Sequence, residues 1–226
     1  MTRLRAPIAA SAALALLAGA AGTASADRAG VAEAVQNAAF QARSTVGYAI
    51  EGDDVVYQQA RLYTKRYGTI DVMLDDRTEL RVAPSSSIVI DEYVYRGEGR
   101  PGALGVSLAQ GALKFVSGRM PSAAYAVGTP VASIGVRGTE FWLNAVADGR
   151  LQIWVLDGTV TAQPTQSNVV FEFEAPAYAV CTATTCERGD APPVPESFPL
   201  DPTDLGADND GPGDDGESSG QSPGLE

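Results

Sequence analysis

The residues best placed for chemistry are Val136-Arg137-Gly138-Thr139, with Glu140 beside them and Asp157-Gly158 further along. Arg137 carries a planar fork of donors that suits a carboxylate or clustered backbone carbonyls. It can tie its own turn to Glu140, Asp157 or main-chain oxygens, or stand exposed and anchor a partner. Neither role is a reaction. Three adjacent acid pairs, Asp53-Asp54, Asp75-Asp76 and Asp91-Glu92, are the remaining candidates. Neighbours on a strand point to opposite faces, so these pairs read as solvated turns and strand ends rather than as a general acid and base. The chain has no histidine, which removes the Ser-His-Asp and Cys-His arrangements and the usual zinc sites. No glycine-rich phosphate loop follows a strand and opens a helix. The expectation is a non-enzymatic protein with no catalytic, cofactor or metal residues in its folded part.

Two cysteines, Cys181 and Cys186, flank Thr182-Ala183-Thr184-Thr185 after a strand-like run. In an exported chain they are expected to form a disulfide across a tight hairpin. For so short a loop the chain-entropy gain is about 2 kcal/mol. The spacing is not the CxxC of a redox pair.

These residues need elements to hold them. Gly138 and Gly158 supply the positive-φ freedom of tight turns, so TPVASIGVRGTEF (129–141) and DGRLQIWVLDGTV (148–160) read as strands broken by Arg-Gly and Asp-Gly turns. Side-chain alternation puts Phe141 and Leu143 on one face and Trp142 on the other, and divides Ile153 and Val155 from Trp154. Trp142 and Trp154 are therefore expected as partly exposed aromatic contacts. From Asp54 onwards runs rich in Val, Ile, Thr, Tyr and Phe recur: TIDVML, ELRVA, SIVIDEYVY, LGVSLAQ, ALKFVSG, VASIGV, EFWLNAV, LQIWVL, TVTAQ and NVVFEFEA. Many short strands at close intervals indicate an all-β sandwich, roll or solenoid. Residues 28–43 are ambiguous, since Val31, Ala34, Val35, Ala38 and Ala39 recur at helical spacing.

The ends read differently. Arg3 and Arg5 precede an apolar run from Ile8 to Ala21, and Ala24-Ser25-Ala26 forms a small-x-small cleavage site, so residues 1–26 are expected to be a signal peptide. That run is short for a membrane span. The mature protein is expected to be periplasmic or secreted, with no stable membrane insertion. Removing two arginines leaves 14 basic and 28 acidic residues, a charge of −14; ten of the acids and none of the bases lie in 190–226. Such a balance repels nucleic acid and anionic membranes. Seven of the fourteen prolines fall in 187–226 among Gly, Ser and Asp, so residues 190–226 are expected to be a disordered tail after one domain at 27–189. Asp208, Asp210, Gly211, Asp214 and Glu217 match part of a calcium loop, but Gly206 takes its first position, so weak divalent cation binding is the most the tail offers.

Thr129-Pro130 followed by VASIGVRGTEF resembles the hallmark of the FecR domain family: Thr129, Pro130, Val136, Arg137, Gly138, Thr139 and Phe141, with Asp157 and Gly158 beyond. GTIDVMLDDRTELRVAPSSSIVIDEYVY (68–95) resembles the family's strand–turn–strand run, with Asp76-Arg77-Thr78 in place of its usual Asp-Gly, and GALKFVSG (111–118) resembles a third block. The resemblance covers roughly 30–181. It implies an all-β domain, β-solenoid-like or a two-sheet roll, and two short strands within 28–43. The best-known members join a cytoplasmic anti-sigma segment through one transmembrane helix to a periplasmic domain that senses an outer-membrane transporter. Neither the anti-sigma segment nor a retained helix is read in this chain. The expectation is an exported module that binds another envelope protein or a glycan, by sheet-edge pairing. The alternative is a structural or adhesive surface protein with a calcium-binding tail.

Overall fold

A computed structural model describes residues 27–190. Its fifteen strands form two layers around one core. The first layer runs β3 (Gly47–Ala49), β2 (Ala39–Ala42), β5 (Arg61–Thr64), β8 (Ser87–Val94), the first half of β9 (Ala103–Val116), β10 (Tyr125–Gly128), the first half of β11 (Ala132–Ala145), the second half of β12 (Leu151–Pro164) and β13 (Phe171–Glu174). The second runs β4 (Val55–Tyr57), β1 (Arg28–Gln36), β6 (Thr69–Leu74), β7 (Glu79–Val82), the other halves of β9, β11 and β12, then β14 (Ala177–Cys181) and β15 (Cys186–Arg188). All pairings are antiparallel except β9–β10. This is the two-sheet roll of the two arrangements expected. Residues 28–43 form β1 and β2, so their helical spacing is overridden by strand pairing, with Asn37 at φ 56° in the connection.

Three long strands belong to both layers, and glycine lets them cross. In β9 the residues of the common core include Leu104, Val106 and Leu108, then Leu113 and Phe115; parity flips at Gly111, φ 76°. In β11 they include Ile134 and Val136, then Phe141 and Leu143; in β12, Ile153 and Val155, then Val160 and Ala162. The β11–β12 register breaks on either side of Glu140, beside Gly138 (φ 58°) and Gly158 (φ 73°). An extra residue at each site keeps apolar side chains inward as the strand bends from one sheet into the other. The expected Arg-Gly and Asp-Gly turns are therefore bulges within continuous strands. An ordinary two-residue turn would have reversed the chain; here the ladder resumes on both sides.

The core draws on both layers. Phe115 and Phe141 stack with ring centroids 5.2 Å apart, and Tyr125 meets Phe115 edge-on at 5.9 Å. Cys181 and Cys186 are joined by a disulfide that closes the β14–β15 hairpin, as expected. No helix of the described residues is long and apolar enough to cross a membrane. The expected signal peptide (1–26) and nearly all of the expected disordered tail (190–226) lie outside the described residues.

Candidate functional site

Most of the signature residues build the frame. Thr129 closes the β10–β11 connection: its hydroxyl donates to the Ala132 carbonyl (2.8 Å) and accepts from the Ala132 N–H (3.0 Å). Pro130 follows it in that connection. Val136 and Phe141 are in the core, and Thr139 is buried, its N–H donating to Ser117 Oγ at 2.9 Å. Gly158 faces the Gly138 carbonyl so closely that a Cβ there would overlap it. Asp157 lies opposite Glu140 and is exposed.

Arg137 is the exception. It is exposed on the outer side of the bulge, and among the described residues it makes no ion pair or side-chain hydrogen bond. The expected tie to Glu140 or Asp157 is absent because Glu140 pairs instead with Lys114 on β9, at 2.6 Å. Arg137 therefore remains available to a partner.

The two tryptophans require a second correction. Alternation places them opposite Phe141 and Ile153, as read, but they are not exposed: Trp142 and Trp154 show only 6% and 4% of their surface. They form a small cluster with Tyr178 on β14, whose ring centroid lies 5.1 Å from that of Trp154. Strand parity decides which face a side chain takes, not how much of it stays open to solvent.

Asp76 was misjudged as half of a solvated pair. Asp75 is the solvated one, bonded to Arg28 at 3.2 Å, while Asp76 is completely buried in the β6–β7 hairpin. Its Oδ2 accepts from Thr78 Oγ1 (2.7 Å) and Tyr125 O–H (3.0 Å), and its Oδ1 from the Thr78 N–H (3.2 Å) and Tyr93 O–H (3.3 Å). Its N–H donates to the Tyr93 oxygen (2.8 Å) and its carbonyl accepts from the Arg119 N–H (2.9 Å). Arg77 sits at φ 71° to make this turn. The carboxylate thereby joins the hairpin to β8 and β10, and the main-chain carbonyl joins it to the loop after β9. Asp76-x-Thr78, followed by tyrosines at apolar strand positions, was the available signal. Each of these bonds ties the hairpin to itself or to a neighbouring segment.

The pocket has a measurable signature. Burial, followed by the Asp76 charge, pushes the Tyr125 phenol up to about 12 from its ordinary value of 10, and raises Tyr93 as well. The folded state therefore favours neutral tyrosine. That stability is complete below pH 10 and is lost as the pH climbs through the folded-state values, because the unfolded chain ionises first. The urea midpoint is expected to hold from pH 8 to 9.5 and fall steeply between pH 10 and 12. In a spectrophotometric titration two of the eight tyrosines should ionise late; ionisation of all of them near pH 10 would contradict the pocket.

Several exposed apolar side chains lie at the rim of the first layer. Its outermost strands among the described residues, β13 and β3, each pair there on one side only, with β12 and β2 respectively. Val169 and Val170, which lead into β13, are 56% and 57% exposed, and Val46 and Tyr48 are exposed at the β3 edge. The second layer's edges carry Tyr57 beneath Arg43 and the pair Glu187 and Arg188. A shallow apolar depression of about 220 Å³ lies between Pro130-Val131 and Val146 at the β11–β12 tip, and Arg150 at its margin is engaged by Asp148 (2.6 Å). Among the described residues no three acidic or cysteine side chains converge as a metal site.

Residues 60–161 match the protein-family model described as FecR protein. No curated protein matches the chain. Two crystal structures of a candidate anti-sigma factor from Parabacteroides distasonis ATCC 8503 are similar to it, each at 16% identity, with TM-scores of 0.46 and 0.47. Each match covers 57% of this chain and 59% of that one, so the chain spans about three-fifths of their length.

Proposed function

Because residues 60–161 carry a FecR-like domain, we propose that this protein is a non-enzymatic, exported binding module of an envelope signalling system, which pairs a segment of another envelope protein with the open edge of its first layer. The observation that carries this reading is β13. Among the described residues it is a four-residue strand bonded on one side only, and Val169 and Val170 stand exposed beside it. An open edge offers a row of backbone donors and acceptors, and flanking apolar residues add pockets of contact; together they suit strand addition. Arg137 lies two strands in from this edge. It lies opposite Thr159, which lies opposite Glu174 of β13. A glycan partner loses its main support once Trp142 and Trp154 are buried. The structural or adhesive alternative rests on tail residues outside those described.

The test is capture from native envelopes with the mature chain 27–226 and its Val169→Lys/Val170→Lys variant. Lysines at an edge oppose pairing without entering the core, so binding of the partner is expected to weaken at least about tenfold while the melting temperature is unchanged. A partner retained equally by both baits would refute edge pairing.

A further inference from the structure

We propose that copies of this chain join head to tail, the β13 edge of one adding to the β3 edge of the next, so that the first layer continues from copy to copy. Such a joint rests on the open β13 edge of the reading above and needs no envelope partner. The two strands are opposite ends of one layer, each paired on one side only among the described residues. Two unlike surfaces that fit each other make a heterologous contact, which adds copies in series.

The two ends are opposite in charge. On β13, alternation turns Phe173 into the core and leaves Glu172 and Glu174 exposed on the outer face. At the β3 end, residues 34–50 and 55–70 contain four cations, Arg43, Arg61, Lys65 and Arg66, and no acid. All four are exposed, and among the described residues neither they nor the two glutamates form an ion pair. Three of the cations lie over tyrosine rings: Arg43 over Tyr57 at 4.6 Å, Arg61 over Tyr63 at 4.7 Å and Arg66 over Tyr67 at 5.5 Å. A guanidinium laid on a ring is already ordered, and its planar fork stays free for a carboxylate.

Arg61 starts two strands in from the β3 edge, and packing carries its charge outward. Register sets Ala42 between Arg61 and Gly47. With only a methyl at 42 and no side chain at 47, the Tyr63 ring spans both, and a Cβ on Gly47 would overlap its oxygen. Phe40 stacks against that ring at 5.1 Å. Neighbouring strands are about 4.8 Å apart, so a glutamate on a strand added beside β3 comes within side-chain reach of Arg61. The apolar residues agree. Of six large apolar side chains exposed among the described residues, four lie at these two rims, Val46 and Tyr48 at one and Val169 and Val170 at the other. One joint covers all four and pairs the open main chain of both edges.

Sedimentation velocity of the mature chain 27–226 tests the joint. The weight-average sedimentation coefficient is expected to climb with concentration past the dimer. Arg43→Glu/Arg61→Glu alters one edge and Glu172→Lys/Glu174→Lys the other, and each variant alone should self-associate at least about tenfold more weakly, since like charges then meet. An equimolar mixture sets Glu against Arg at one joint and Lys against Glu at the next, so association should return. Variants that stay apart on mixing would overturn the joint, as would a wild-type chain that stops at the dimer. A wild-type chain that is monomeric at every concentration overturns it too, and leaves the envelope-capture result untouched. Self-association without any captured partner sinks the envelope reading alone. Should a variant fail to fold, hydrogen exchange of the wild-type chain at low and high concentration decides. Protection that rises with concentration at both 47–49 and 171–174 supports the joint, and a rise at one edge or neither overturns it.

Discussion

Alanine at Gly158 is expected to destabilise the domain by roughly 3–5 kcal/mol, while alanine at Gly138 costs about 1 kcal/mol. Both residues have positive φ, 73° and 58°, so both substitutions incur the backbone strain of a Cβ in the left-handed region. Only Gly158 has a neighbour in the way. Its Cβ would overlap the Gly138 carbonyl and press on Thr139 Cγ2 at 2.8 Å, whereas nothing lies within 4 Å of a Cβ on Gly138. Relief would require β11 and β12 to separate where both change layers, and the flanking pairs Arg137–Thr159 and Phe141–Val155 would have to follow. Urea denaturation of the two variants separates the effects. Equal losses would mean that the close approach of the bulges is not what fixes glycine at 158.

Asp76→Ala is expected to cost a similar amount, roughly 3–5 kcal/mol, because three hydroxyls and one amide lose a buried acceptor together. Asp75→Ala, one residue away, should stay within about 0.5 kcal/mol, as the loss of an exposed ion pair does. Asp76→Asn keeps one acceptor oxygen and should fall between them. In that variant the Tyr125 phenol also loses an adjacent negative charge, so its ionisation should move back down towards 10. If Asp76→Ala melts like Asp75→Ala, the pocket does not organise the fold. If Asp76→Asn leaves the tyrosine titration unmoved, the carboxylate does not reach the phenols.

Strand identity was legible from alternation, and even the two-layer path is written in the chain as changes of parity: Val136 to Phe141, and Val155 to Val160. It was read as breaks between separate strands because a glycine between two alternating runs looks the same locally whether the chain reverses or bulges. Only the partner strand's register tells them apart. Trp142 and Trp154 fail for a related reason, since parity names a face and says nothing of what lies upon it. Asp76 was illegible because its neighbours come from far along the chain; Tyr93 is 17 residues away and Tyr125 is 49. Arg137 left two roles open in the sequence, a tie to its own turn or an exposed donor. The choice between its two roles turned on Lys114 claiming Glu140, which no local pattern records. Edge position is likewise a property of topology: NVVFEFEA announced a strand without announcing that it would end a sheet.

β12 has a mechanical consequence. One continuous backbone carries the pairing to β13 through residues 159–162 and the pairing to β14 through residues 151–155. A pull on β13 therefore passes along covalent bonds into the layer from which the C-terminal chain departs, with no linker to stretch and no joint to swivel. The Cys181–Cys186 bridge then shunts that load past the short β14–β15 hairpin. Under tension the domain should behave as a single cord, bearing force until it gives way all at once.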